Sequence, residues 1–226
     1  MSFSAVLFDL DGTLCEPAQS AESVYSGAFE AAGTDRFGEP DELWAALERP
    51  PNHDDPVGYF TAGFATVAAR HDRTPVDATA LARGFLETVD YARVRPREGA
   101  EAAVEAAKRR GRVGLVTNGP ESRQAAKLEA LPFGDAFETV VYAGDLSRRK
   151  PNRDPFERGV ESLSVPAVET VHIGDSLEYD VVGAQNAGLA AAWCPPDETD
   201  ADPAPYSPEY VLDSPAEIER ILRSDP

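Results

Sequence analysis

The chain has 226 residues, enough to bury a sizeable core as one large domain or as a domain with an insertion. Hydrophobic residues make up 42%, which suits a folded protein and is too high for a disordered one. Acidic residues outnumber basic ones 40 to 21, a formal net charge of −19, so nucleic acid and anionic membrane surfaces are poor partners.

The longest purely apolar run, Leu189 to Cys194, is far too short to cross a bilayer. No basic stretch or signal-type apolar run precedes Asp9, and the expectation is a soluble cytoplasmic protein. Cys15 and Cys194 imply no disulfide framework and read as small buried hydrophobes. Only Lys108, Lys127 and Lys150 are lysines; the other basic residues are arginines. High acidity with few lysines resembles proteins of salt-loving microbes, the plain alternative being an acidic, soluble surface.

Along the chain, Phe3 to Phe8 is short and apolar and reads as a buried strand. From Glu16 to Arg95 the pattern turns helical, with no convincing strand. Leu43, Trp44 and Leu47 form a stripe after Asp41, a plausible N-cap. Val57, Phe60, Phe64 and Val67 share a helical face, as do Leu81, Phe85 and Val89. These stripes predict the core of a small helical bundle. An amphipathic helix follows over Glu98 to Arg110. Strand-like runs then recur at Arg112 to Thr117, Thr139 to Tyr142, Thr170 to Ile173 and Leu189 to Trp193. Pro195 to Pro208 reads as an acidic surface loop, before a last strand near Tyr210 to Leu212 and a helix over Pro215 to Leu222. The alternation implies an α/β fold, a parallel sheet with helices on both faces. The expected division is residues 1–15 with 96–226 as this sheet domain, and 16–95 as a small inserted helical cap.

The chemistry gathers at strand ends. Asp9 and Asp11 end the first strand two residues apart, so both leave toward one site, and Gly12 allows a sharp turn. Ligands collect at the carboxyl ends of strands in open parallel sheets. Carboxylates this close repel unless a cation lies between them, and a hard ion such as magnesium is expected. An ordinary Asp-Gly turn is the alternative for this segment taken alone. Thr117, Asn118 and Gly119 end a second strand and offer a hydroxyl and an amide to a phosphate oxygen. Gly174 and Asp175 end a third, followed by Asp180, adding oxygen ligands for the same metal. Lys150, in a chain poor in lysine, offers a compact point charge. Singly, each reads as well as a turn, a helix cap or a solvated charge; jointly they describe a site.

These four groups, in this order, resemble the motifs of the haloacid dehalogenase superfamily, over nearly the whole chain. Asp9-Leu10-Asp11-Gly12-Thr13 resembles the first motif, Thr117 with Asn118 the second, Lys150-Pro151 the third, and Gly174-Asp175 with Asp180 the fourth. The helical insert between the first two resembles that family's first cap class. The resemblance implies a Rossmann-like parallel sheet with a mobile helical cap, and a magnesium-dependent hydrolase of small phosphomonoesters. Asp9 would attack phosphorus to form an aspartyl-phosphate; Asp11 would protonate the leaving alkoxide and then activate water. Thr117, Asn118 and Lys150 would bind the phosphoryl oxygens. Magnesium would be held by Asp9, the backbone carbonyl of Asp11 and Asp175, with Asp180 orienting its waters. Asp11 argues against a dehalogenase, which needs no leaving-group proton, and the insert lacks the lysine of the phosphonate-cleaving members. A phosphomutase shares every residue named. A receiver domain lacks the insert, and a catalytically dead binding module would not fill every position.

The substrate is left open, as is the oligomeric state. Arg49 and His53 lie in a loop that could meet an anionic substrate, though plain surface placement is the simpler reading. His71 carries no better claim, and His172 reads as a packed, hydrogen-bonded residue. Lys150→Ala is expected to weaken phosphate binding and leave the fold intact.

The charge makes its own prediction. A chain at −19 repels itself when compact. Salt shortens the Debye length from about 10 Å at 0.1 M to about 3 Å at 1 M. Thermal melts in rising potassium chloride should therefore show a higher melting temperature at molar salt. A melting temperature that falls instead would mean the acidity is no salt adaptation.

Overall fold

Ala5–Phe8 (β1) is buried at every position, as a strand covered on both faces must be. The computed structural model describes residues 3–47, 55–196 and 199–223. Two further short strands, β2 (Cys15–Pro17) and β3 (Val94–Pro96), pair with each other. The strands β4 (Arg112–Thr117), β5 (Thr139–Tyr142), β6 (Thr170–Gly174), β7 (Ala190–Trp193) and β8 (Tyr210–Val211) join β1 in a six-stranded sheet. Its order is β5-β4-β1-β6-β7-β8, and every pairing is parallel. The fold class is thus the Rossmann-like α/β class read from the sequence. Because β1 is flanked by β4 and β6, the strands that end in Asp9, Thr117 and Gly174 are immediate neighbours.

Alternation along β1 divides the core into two layers. Val6 and Phe8 pack with Leu115 and Ile173 under the helix Ala100–Lys108 and the last helix, Ile218–Leu222. Leu7 faces the other way, with Val116, against Phe156, Val160 and Leu163 of the helix Asp154–Leu163. That helix carries Pro in its first turn, where the missing N–H costs nothing.

The chain divides into two compact units, Met1–Glu16 with Val94–Pro226, and Pro17–Arg93. The second unit contains four helices among the described residues, Ala21–Ala32, Pro40–Ala46, Pro56–Arg70 and Ala78–Thr88. Tyr25, Phe29, Phe64, Val67, Leu81 and Phe85 form its core, and the Tyr25 hydroxyl is satisfied by the Phe37 carbonyl at 3.0 Å.

Three expectations change here. The stretch expected to hold no strand contributes β2 and β3 at its two ends, pairings too short to leave a periodic signal. Asp41 is not the N-cap: the helix starts at Pro40, after Glu39, whose backbone N–H is bonded by the Glu42 carboxylate at 2.8 Å. Trp44 is not a core residue but 48% exposed, its ring packed edge-on against Phe60 and Phe85. Arg49 and His53 lie outside the described residues. Among those residues no helix is long and apolar enough to cross a membrane.

Candidate active site

The Asp9 N–H still belongs to the ladder, donating to the Ile173 carbonyl at 2.8 Å, so its side chain is aimed by the sheet. Beyond it the chain turns tightly. Leu14 and Cys15 both donate to the Leu10 carbonyl, and Gly12 donates to Cys15. Gly12 is required twice over. Its φ of +77° belongs to the left-handed region, and an added Cβ would stand 2.5 Å from Oδ2 of Asp175.

Lys150 is buried, and its Nζ donates to Oδ1 of Asp9 and Oδ1 of Asp180, both at 2.6 Å, and to the Val116 carbonyl at 3.0 Å. All three donor sites of an ammonium are filled. The carboxylates it bridges are 9% and 2% exposed. Burial opposes the ammonium charge, but Asp180 and Asp9 outweigh it and raise the Lys150 pKa above its ordinary value.

Asp180 sits in one wide turn over Leu177–Val181, where Val181 N–H reaches back five residues to Ser176. Such turns recur at functional sites. Its Oδ2 accepts the Ser176 N–H at 3.0 Å, and its Oδ1 is shared by Lys150 and His172 Nε2, the latter at 3.0 Å. Gly174 makes room for it, since a Cβ there would stand 2.1 Å from the Asp180 carboxyl carbon. Burial disfavours the Asp180 charge, yet Lys150 and His172 together hold the carboxyl well below the usual range. His172 is the packed, hydrogen-bonded residue expected. Burial pulls its pKa down, and because an ionised Asp180 can only accept, Nε2 carries the proton.

Asp9, Asp175 and Asp180 present carboxylate oxygens within 4.8 Å of one another. One ammonium cannot balance three carboxylates. Burial first, then Asp180 and Asp175, push Asp9 well above the ordinary carboxylate range despite Lys150. Asp175 is pushed up to about 6 by burial and by Asp180. An uncompensated cluster of hard oxygen donors fits a divalent cation such as magnesium. The Asp11 carboxylate is not in this cluster, so any hold it has on a cation falls to its backbone carbonyl.

Thr117, at the end of β4, is buried. Its Oγ1 accepts from Gln124 Nε2 at 2.6 Å and from the Gly119 N–H at 3.3 Å, leaving the hydroxyl proton to be offered to a ligand. The Asn118 side chain is engaged within the protein. Its Oδ1 accepts the Lys150 N–H at 2.9 Å and its Nδ2 donates to the Lys150 carbonyl at 3.1 Å. The amide thereby clamps the Lys150 loop.

Two residues of the helix Glu121–Ala130 went unnoticed in the sequence. Gln124 Nε2 also donates to Oδ2 of Asp11 at 2.7 Å, and Lys127 Nζ donates to Oδ1 of Asp11 at 2.6 Å. Gln124 is buried with its Oε1 unpartnered, a cost of about 1–3 kcal/mol. The signal for Lys127 was present: lysine scarcity singled out Lys150, and the same argument applied to it.

A parallel sheet with carboxylates at two adjacent strand ends, and a third from the turn after β6, gathered beside one buried lysine describes an α/β enzyme fold. The chain belongs to the haloacid dehalogenase-like hydrolase family, whose pattern matches residues 3–188. It is 26% identical to pyrophosphatase PpaX of Bacillus mycoides over 226 residues, 98% of both chains. It is 30% identical to pyrimidine 5'-nucleotidase YjjG of Escherichia coli over 128 residues, so the match spans about half, 56%, of each chain. Among solved structures, the hydrolase YfnB of Bacillus subtilis bound to magnesium superposes with a TM-score of 0.78. The match is 23% identical and covers 99% of this chain and 100% of that one.

The burial of Lys150 overturns the expectation that Lys150→Ala would spare the fold. Removing one partner of a buried pair costs about 3–5 kcal/mol, because the remaining charge is left alone. Lys150→Met, unfolded by urea without added divalent cation, should lose stability of that order. Adding Asp180→Asn should restore part of it. A variant as stable as the wild type would mean that the bridge contributes nothing to folding.

Proposed function

We propose that this chain is a magnesium-dependent phosphomonoesterase that works through a phosphorylated Asp9. The observation that supports it best is the Asp9–Lys150–Asp180 bridge, which presents a buried, oriented carboxylate at the centre of the sheet edge.

In this reading Asp9 Oδ attacks the phosphorus in line as the ester P–O bond breaks, and Asp11 gives its proton to the departing oxygen. In the second half, Asp11 takes a proton from water, the water oxygen bonds to phosphorus, and the P–O bond to Asp9 breaks. The Thr117 hydroxyl and the Lys150 ammonium stabilise charge on the phosphoryl oxygens. Asn118 fixes the loop that carries Lys150, and Asp180 fixes the ammonium itself. Bound magnesium would be held by Asp9, Asp175 and the Asp11 carbonyl, supplying charge neutralisation at the phosphoryl group. The unit Pro17–Arg93 is assigned the role of a cap that selects the leaving group.

Relatives named a pyrophosphatase, a pyrimidine 5'-nucleotidase and a glyceraldehyde 3-phosphate phosphatase support a small phosphorylated metabolite as substrate. A cytoplasmic setting belongs to the same reading, and salt adaptation is proposed from the net charge of −19.

Incubation with p-nitrophenyl phosphate should release phosphate with magnesium and cease on chelation. Asp9→Asn keeps the shape and removes the nucleophile, and its rate should fall by about 10⁴-fold or more. Near-normal turnover by this variant would remove the covalent mechanism.

A further inference from the structure

We propose that Gln124 and Lys127 are positioning residues that set where Asp11 stands as the proton-transfer group; this rests on the phosphomonoesterase reading above. The two lie three residues apart on the helix Glu121–Ala130, hence on one face. Between them they take both Asp11 oxygens, Lys127 on Oδ1 at 2.6 Å and Gln124 on Oδ2 at 2.7 Å.

The pair is not an ordinary surface ion pair. Lys127 is 15% exposed although Asp11 is 46% exposed, so the cation is built into the protein and the carboxylate is held out at its edge. Lys108, by contrast, makes a plain exposed contact with Glu105 one helical turn away, its side chain 46% exposed. Of the three lysines, one therefore holds Asp9, one holds Asp11, and one decorates the surface.

Gln124 adds direction. Both groups facing its amide nitrogen, the Asp11 carboxylate and Thr117 Oγ1, are placed to accept, so the nitrogen must point there. That orientation leaves Oε1 buried and unpartnered, a configuration that burial alone gives no reason to keep. The amide bridges the proton donor and the hydroxyl of the phosphoryl site.

A general acid acts only within about 2.6–3.2 Å of the atom it protonates. An exposed aspartate without these donors samples several rotamers, and little of that population meets the leaving oxygen. Each Asp11 oxygen keeps a second lone pair beside the clamp, which can carry the proton donated to the leaving oxygen and later accept the proton of the attacking water.

The test compares p-nitrophenyl phosphate, whose leaving group needs little protonation, with a simple alkyl phosphate, which needs it fully. Lys127→Met should lower kcat on the alkyl ester by about 10²-fold, the lower end of general acid–base effects. On the nitrophenyl ester the loss should stay under about 10-fold, with KM nearly unchanged on both. Combined with Asp11→Asn it should add little, since the two act as one unit. Lys127→Arg should recover part of the alkyl rate, and Gln124→Leu carries the same comparison should Lys127→Met fail to fold. A loss equal for both esters, or one that multiplies with that of Asp11→Asn, overturns the positioning role while the phosphatase reading stands. A wild-type chain that releases phosphate from neither ester overturns both.

Discussion

The structure depends on one ammonium group held dry between carboxylates. Lys150 reaches across the sheet edge from a loop to meet Asp9 and Asp180, and all three are buried. Isolated, any one of these charges would be expensive in the interior. Their mutual compensation offsets part of the cost of placing an acidic side chain at the end of a buried strand. The surroundings serve that contact: Asn118 clamps the Lys150 backbone, His172 and the Ser176 N–H hold Asp180, and the Val116 carbonyl takes the third ammonium proton. The compensation is incomplete, because Asp175 joins the cluster without a cation of its own. In the proposed reading, that deficit is what a bound divalent ion would offset.

Sheet topology brings these groups together at no further cost. Chain order runs from β1 to β4 on one side and later to β6 on the other. This reversal falls at the carboxyl ends of three adjacent strands, about 4.8 Å apart, where open α/β sheets gather their ligands. Asp9, Thr117 and the Gly174-Asp175 segment need only follow their strands to arrive there. Lys150 and Asp180 come from segments between strands, and correspondingly each is pinned by several hydrogen bonds.

Much of this was legible from residues alone. Short apolar runs such as Arg112–Thr117 can be little else than buried strands, and carboxylates at their ends need an explanation. The less legible parts share a cause, which is that hydrogen-bond partners distant in the chain leave no periodic trace. The Asn118 amide, for example, bonds the Lys150 backbone 32 residues away. Gln124 and Lys127 lie on a polar helix whose sequence reads as solvated, yet they reach Asp11 across more than 100 residues. Glu39 hides as a cap because its own residue type is an unusual one there, the bond being made by Glu42. Trp44 fits a helical stripe, but its helix is only seven residues long and leaves the ring at the margin of the core.

The central claim is that Asp9 forms a bond to phosphorus. The stereochemical course of hydrolysis of an oxygen-isotope-chiral phosphorothioate ester in water of the third oxygen isotope, which yields a chiral thiophosphate, reads this out without reference to any variant. Two successive in-line displacements, one by Asp9 and one by water, each invert the phosphorus, so the account predicts overall retention of configuration. Overall inversion would mean that water attacks the ester directly and would contradict it.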